Sequence, residues 1–253
     1  MNQKILLALA YWEGDREQAE RLADFISELE PRHSSEADFL LVCRFDSGHT
    51  PGVVQRLGRK FNVFSYKSPL RMTGWPAGCN ATWEGSIQWA WSMTEARKVP
   101  AYKAILTFEA DCVPTSKDWI QRLHKEWDEL QGGRWDAEKN VFAPVRIAGA
   151  MVSGEGVEQH VNGNCLLSGE EKFLRWIVQK ANIPATLGWD YFLRHQFEKF
   201  GWANVPGMRS LYNSHGYTEE KWQEIQDKKI FFIHGAKDAT LINLARKHLL
   251  GRV

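Results

Sequence analysis

The chain has 253 residues, a formal net charge of +1, 43% hydrophobic and 25% charged residues. That balance belongs to a globular protein with ample apolar mass for a core, and it excludes a disordered or uniformly basic chain. The four cysteines, Cys43, Cys79, Cys112 and Cys165, are dispersed without C-x-x-C spacing, which argues against a zinc cage or a disulfide framework and agrees with a reducing cytoplasm.

Residues 4–11 read as a buried first strand. Trp12, Glu13, Gly14 and Asp15 end this apolar run too soon for a signal peptide or membrane span, so a soluble cytoplasmic protein is expected. Residues 15–30 form an amphipathic helix and 38–43 a second strand, a βαβ opening. Thr50 and Pro51 open a short helix to about residue 61, with proline in the first turn where its missing N–H costs nothing, and 63–66 is a third strand. A loop over 67–80 is marked by Gly74, Pro76 and Gly78. Trp83, Ile87, Ala90, Trp91 and Thr94 recur at helical spacing over 81–98, and a strand follows at 103–108. Thr115 and Ser116 cap a helix over 117–130 that Gly132 and Gly133 break. Beyond residue 141 the pattern loosens into short apolar segments, glycine-rich turns over 149–156 and helices over 170–180 and 189–200. A strand at 229–233 and a helix at 238–250 complete the reading.

In an open α/β sheet, ligands bind outside the carboxyl ends of the strands, which singles out residues 12–15, 109–111 and 234–237. Glu109 and Asp111 follow a buried run one residue apart. In extended chain they point to one side and can converge on a hard cation carrying phosphates, although two solvated strand-end acids are the plainer alternative. His234 can complete a carboxylate metal site, and Lys237 near a helix N-terminus can meet a phosphate. Twelve tryptophans exceed what a core of this size requires, so some are expected to line a groove for flat or ring-shaped ligands.

Charge is unevenly spread. Arg44, Arg56, Arg59, Lys60, Lys67 and Arg71 face one acid, Asp46, and Lys228, Lys229, Lys237, Arg246, Lys247 and Arg252 face one, Asp238. Solvated helix faces account for such runs; a polyanionic partner, nucleic acid above all, is the functional reading.

Five segments in this order resemble the nucleotide-sugar-dependent glycosyltransferases of the GT-A fold. They are Glu109-Ala110-Asp111 as the acidic motif and Gly74-Trp75-Pro76-Ala77-Gly78-Cys79-Asn80 as a donor loop. His160-Val161-Asn162-Gly163-Asn164 is similar to an acceptor-side turn, Gly188-Trp189-Asp190 to a helix opening at the reacting centre, and Ile233-His234-Gly235-Ala236-Lys237-Asp238 to the C-terminal H-G-x-K. The departure is Glu109, where the family more commonly has Asp.

The resemblance implies an α/β fold of GT-A type, Rossmann-like and single-domain over residues 1–253, with a mixed central sheet flanked by helices. Its nucleotide-sugar-binding half runs to about residue 140 and its acceptor-binding half from 141 to 253. It implies Mn²⁺ or Mg²⁺ on Asp111, His234 and Glu109, and a nucleoside-diphosphate sugar, a UDP-sugar foremost, held by Trp12, Glu13, Trp75, Asn80, Glu109 and Lys237. The acceptor falls to His160, Asn162, Asn164 and Trp189. Asp190 is the candidate catalytic carboxylate, as base or as stabiliser of an oxocarbenium-like centre, with a helix cap as its structural alternative.

The family includes phage-type enzymes that glycosylate hydroxymethylated bases, so DNA carrying 5-hydroxymethylcytosine is an expected acceptor, with Arg56, Arg59, Lys60 and Arg71 on its backbone. A phage-encoded enzyme would act in the host cytoplasm. A transferase building surface polysaccharide or lipopolysaccharide, a metal-dependent sugar nucleotidyltransferase, and a binding module without activity are the alternatives.

Overall fold

The run Ile5–Tyr11 has no polar residue to place at a surface, and in the computed structural model it lies inside a sheet, every residue but Ala10 buried. The structure describes residues 3–48, 51–136 and 141–252. In chain order its elements are β1 (Ile5–Tyr11), a 3-10 turn (Glu13–Asp15), α1 (Arg16–Leu29), β2 (Ala37–Cys43), α2 (Pro51–Gly58) and β3 (Val63–Lys67). Then come α3 (Ala77–Glu95), β4 (Ala104–Glu109), β5 (Val113–Pro114), α4 (Trp119–Leu130), β6 (Arg134–Asp136) and β7 (Val141–Ala143). The later part holds β8 (Ile147–Gly154), β9 (Val157–Ser168), α5 (Glu171–Lys180), α6 (Trp189–Phe192), α7 (Arg194–Phe200) and β10 (Trp202–Asn204). It finishes with β11 (Met208–Ser214), α8 (Glu219–Asp227), β12 (Phe232–Ala236), α9 (Thr240–Ala245) and a π turn (Arg246–Leu250).

Seven strands form the main sheet in the order β10-β8-β9-β4-β1-β2-β3. Strands β4, β1, β2 and β3 are parallel, and β9 pairs antiparallel with both β4 and β8, so the sheet is mixed. The chain steps from β1 to β3 in one direction and then returns to β4 on the other side of β1. The β1/β4 boundary is thus the switch point where such sheets open a crevice at their carboxyl edge. Side chains alternate between two cores: Ile5, Leu7, Leu9 and Tyr11 face one layer, which includes α1, α4 and α9, whereas Leu6 and Ala8 face the other, which includes α3 and α5.

Three expectations are corrected. Helix α3 starts at Ala77, not at 81, with Asn80 N–H bonded to Pro76 O at 3.0 Å, so Gly78, Cys79 and Asn80 occupy its first turn. The glycines of 149–156 do not make a run of turns but belong largely to the β8/β9 hairpin, where a Cβ on Gly149 would lie 2.7 Å from that of Cys165. Helix α4 begins at Trp119 behind Asp118, two residues later than expected. Helix α8 and strand β11 went unread, and Thr50, the expected helix start, lies outside the described residues, as do the residues around the division at 140. All four cysteines are free thiols. Among the described residues no helix is long and apolar enough to cross a membrane.

Behind α1, Glu30 is buried at 7% exposure. Burial, reinforced by the charge of Glu36 and opposed by Lys60, pushes its carboxyl up to about 7. An acid whose folded value lies above its unfolded one costs nothing below the unfolded value of 4.5 and loses stability as pH rises through the folded one. Glu30→Gln should therefore stabilise the fold by about 2–3 kcal/mol at pH 8 and by close to nothing at pH 4. Urea melts at the two pH values read the difference, and an equal gain at both would mean that ionisation of Glu30 is not its source.

Candidate active site

Strand β4 alternates Ala104, Leu106 and Phe108 into one core and Ile105 into the other, then reaches Glu109 at the carboxyl edge beside the switch point. There the chain leaves the strand in a tight turn, with Cys112 N–H bonded to Glu109 O at 3.1 Å. The two acids converge through this turn and not through the two-residue strand period. Residues Val113 and Pro114 then pair antiparallel with Ile233 and Phe232, and Ala236 N–H bonds Asp111 O at 3.0 Å. The next residue of β12, His234, is carried against the acids.

His234 Nε2 lies 3.5 Å from Glu109 Oε2 and 3.5 Å from Asp111 Oδ1, and Lys237 Nζ donates to Asp111 Oδ2 at 2.5 Å. Ligand atoms of Glu109, Asp111 and His234 all lie within 4.8 Å of one another. Two ligands of an octahedral ion at roughly 2.1 Å stand about 3.0 Å apart in cis and about 4.2 Å in trans, so the trio fits Mn²⁺ or Mg²⁺ with slight closure. A second observation supports the fit: Asp111 is 4% exposed and its Oδ1 is buried without a hydrogen-bond partner, a costly state that a cation relieves. The imidazole is a borderline ligand that manganese tolerates and magnesium, an oxygen-seeking ion, accepts less readily.

Electrostatics bind the cluster together. Burial works against the charge on Glu109, but the hydrogen bond and charge of His234, with Lys237, hold its carboxyl below the ordinary value. Burial likewise opposes the imidazolium of His234, and Glu109 and Asp111 outweigh it. Asp15, at the end of the 3-10 turn after β1, is a third acid here: burial and then the charges of Glu109 and Asp111 raise its carboxyl. Its segment was singled out in the sequence but Asp15 itself was not, because its relation to β4 exists only once β1 and β4 pair.

Behind the acids lies a scaffold of amides. Asn164 Oδ1 accepts from Glu109 N–H at 2.8 Å and from the Cys112 thiol at 3.1 Å, and its Nδ2 donates to Asn162 Oδ1 at 3.1 Å. Asn80 is fully buried; its Oδ1 accepts from Trp189 N–H at 2.9 Å and its Nδ2 donates to Leu187 O at 2.8 Å. Asn80 and Asn164 therefore hold backbone in place, and Asn80 has both amide hydrogens engaged, by Leu187 O and Pro184 O. Trp189 is buried too, stacked on Trp83 with ring centres 4.0 Å apart, so it packs instead of lining an acceptor groove. His160 is buried with Nδ1 against Glu158 O at 2.9 Å and its ring edge-on to Tyr191.

Asp190 opens α6, and its Oδ2 accepts from Gly163 N–H and its Oδ1 from Tyr191 N–H, both at 2.9 Å. Burial raises its carboxyl, while the charge of His160 and these backbone bonds oppose the rise. Cys79, in the first turn of α3, lies in the field of both sides: burial first and the neighbouring Glu109 second, with Asp15 and Asp190 behind them, push its thiol up to about 12. It stays a neutral thiol.

On the rim, Trp12 is 46% and Trp75 86% exposed. Trp12 lies against Arg44, whose guanidinium is 5.0 Å from the ring centre and makes two 2.7 Å bonds to Asp46. Glu13 is exposed beside Arg16, and its N–H donates to Ser47 Oγ at 3.3 Å.

The basic residues assigned to DNA are not gathered at this edge. Helix α2 returns against the direction of the parallel strands, and Ser34 N–H bonds Lys60 O just ahead of β2, so Arg59 and Lys60 stand at the amino edge of the sheet, away from the acids. Arg56 is spent on Asp24 at 2.7 Å and Glu20 at 3.3 Å. Arg71 alone of the four follows a strand, β3, toward the site edge, where it is exposed.

A hundredfold excess of Mn²⁺ over its dissociation constant should stabilise the native protein by about 2.7 kcal/mol, read as a rise in melting temperature that EDTA reverses. Asp111→Ala and His234→Ala should each abolish the rise and Arg56→Ala leave it intact. A rise that survives both site substitutions places the ion elsewhere.

No protein-family model matches the sequence, and no curated protein matches it significantly. Solved structures do resemble the fold. The galactosyltransferase LgtC in complex with donor and acceptor sugar analogues superposes with a TM-score of 0.51 at 11% identity, over 95% of this chain and 94% of that one. The apo bifunctional glycosyltransferase WbbM gives 0.50 at 8% identity over 94% of this chain but only 46% of its own. A 4-diphosphocytidyl-2C-methyl-D-erythritol synthase gives 0.46 at 10% identity over 81% and 89%. At such identities the likeness shows architecture alone, and that architecture, a mixed sheet flanked by helices, is the GT-A fold.

Proposed function

We propose that this chain is a metal-dependent glycosyltransferase that moves a sugar from a nucleoside-diphosphate sugar to a hydroxyl acceptor. The convergence of Glu109, Asp111 and His234 beside Lys237 at the β1/β4 switch point carries the reading. A divalent ion held by Asp111, His234 and Glu109 would supply Lewis-acid stabilisation of the charge on a departing diphosphate.

The protein's own groups do the rest. Lys237 places a fixed cation beside the same carboxylates, where developing phosphate charge is best met by a preorganised partner. Trp12 and Trp75 offer exposed aromatic faces at the rim for a flat base or ring, and Glu13 stands next to Trp12. Asn80, Asn162 and Asn164 fix the walls. The acceptor oxygen forms a bond to the anomeric carbon as the bond to the diphosphate breaks, the electron pair leaving with the phosphate. The hydroxyl proton passes to a carboxylate. Asp190, held by Gly163 and Tyr191 N–H, is that carboxylate in this reading, or the group that stabilises an oxocarbenium-like carbon.

A 5-hydroxymethylcytosine acceptor loses its electrostatic support, since three of the four basic residues proposed for the DNA backbone sit at the far edge or are paired internally. A glycan hydroxyl needs no such patch.

Incubation with Mn²⁺ and a panel of sugar nucleotides, with and without glycan or hydroxymethylated DNA acceptors, tests the class. Release of a nucleoside diphosphate together with a product heavier by one sugar is expected. Release of pyrophosphate instead would assign a nucleotidyltransferase. Asp190→Asn keeps an acceptor for Gly163 N–H, gives up the one for Tyr191 N–H and removes the charge, so it should lower turnover by a factor on the order of 10²–10⁴ in protein that still melts cooperatively. Turnover within threefold of the native protein would reduce Asp190 to a structural clamp.

A further inference from the structure

His234 reaches the acids from a strand whose pairing is irregular at that point. In the parallel β11/β12 ladder Ser210 is registered with His234 and Ser214 with Ala236, so three residues of β11 stand opposite the single residue Gly235. Gly235 has φ +95, and a Cβ there would lie 1.5 Å from Leu211 O. Only glycine allows the two backbones this approach. Bulges of this kind re-aim side chains, and the one here keeps Ser210 level with the imidazole while the chain beyond it swells outward.

Ser210 Oγ lies 3.1 Å from His234 Nδ1, on the nitrogen opposite the one that faces Glu109 and Asp111. An imidazole that presents Nε2 as a lone pair must carry its proton on Nδ1, and the group that accepts that proton selects the tautomer and fixes the ring plane. Among the described residues the Ser210 hydroxyl is the one hydrogen-bond partner recorded for Nδ1. The bond also tethers the ring from β11, the strand next to β12 in the small sheet. We infer that Ser210 is a positioning residue of the metal centre: its hydroxyl accepts the Nδ1 proton of His234 and so holds Nε2 toward the ion shared with Asp111 and Glu109.

The inference rests on the metal-dependent reading above, and the test separates the two. Mn²⁺ affinity of the native protein, Ser210→Ala, Ser210→Thr and Asp111→Ala is measured by the loss of the free-ion electron paramagnetic resonance signal. Binding is to be read without any sugar nucleotide or turnover. Partners of metal-ligating histidines typically contribute a factor of about 10–100 in affinity. Ser210→Ala should weaken binding about tenfold or more, Ser210→Thr, which keeps the hydroxyl, should stay within about threefold of native, and Asp111→Ala should bind least.

A native protein and Asp111→Ala that bind equally, or not at all, would remove the metal reading and the inference with it. Native binding that Asp111→Ala abolishes and Ser210→Ala leaves unchanged would overturn the inference alone. Nitrogen-15 spectra of the protein in Mg²⁺, a diamagnetic ion, give a second measure. The native ring should show Nε2 shifted by the ion with its proton on Nδ1, and Ser210→Ala a larger unligated share at the same Mg²⁺ concentration, whereas identical spectra would count against Ser210. Ser210→Cys, close in volume, repeats both measurements should the alanine variant fold poorly.

Discussion

The structure depends on one reversal of the chain, the turn from Glu109 to Cys112, and on the short antiparallel pairing that follows it. Without the turn, β4 would carry its acids straight out into solvent. With it, Val113 and Pro114 register against Ile233 and Phe232, and a histidine more than a hundred residues away in sequence is brought to 3.5 Å from both carboxylates. Two residues of ladder are a weak tether alone. Their hold comes from the core on which they sit, where Phe232 stacks on Trp119 and meets Phe108 edge-on, each contact adding about 0.5–1.5 kcal/mol beyond burial.

The turn is itself held by a relay of buried polar groups: Asn80 to Trp189, Asp190 to Gly163, Asn164 to Glu109 and Cys112. Most of its bonds join a side chain to backbone, which is how a protein fixes irregular chain without spending secondary structure on it. Loss of a buried partner in such a network costs roughly 1–3 kcal/mol, the desolvation of the group left behind. The relay couples α3, α6 and the β9 edge to the acid turn, so the walls of the site move as one body. Burial and function are therefore hard to separate at Asn80 and Asn164, which are buried and bonded to backbone, Asn164 to Glu109 itself.

Much of the fold was legible because parallel strands buried on both faces announce themselves as unbroken apolar runs, as Ile5–Tyr11 and Ala104–Glu109 do. The acid pair was legible as residue types at a strand end, whereas the distant histidine, expected just after a strand at 229–233, stands in the middle of β12 (Phe232–Ala236). What escaped lay where sequence pattern carries no pairing information. The β8/β9 hairpin was read as turns because its glycines serve close strand contact at Gly149, not chain reversal. The roles of Asn80, Asn164 and Trp189 were read outward as ligand contacts, since composition cannot tell an amide turned to backbone from one turned to solvent. The basic run from Arg44 to Arg71 looked like one patch because neighbours in sequence were taken as neighbours on a surface. Helix α2 instead carries Arg59 and Lys60 to the opposite edge, and α1 supplies Asp24 and Glu20 to neutralise Arg56.

Charge balance then explains why the centre has this composition. Asp15, Glu109 and Asp111 crowd one low-dielectric corner, and burial together with mutual repulsion raises the carboxyl of Asp15. Lys237 answers one of the three through Asp111 Oδ2, and His234 shares its charge between Glu109 and Asp111. With a divalent ion on Nε2, as proposed above, that share would disappear and the ion would replace it with a larger charge. Ion and lysine together would then balance the three carboxylates, so that in the proposed reading the corner no longer repels a diphosphate. In the proposed reading the acids attract the cation and Lys237 keeps the phosphate from meeting bare carboxylates, so acids and lysine form a matched set.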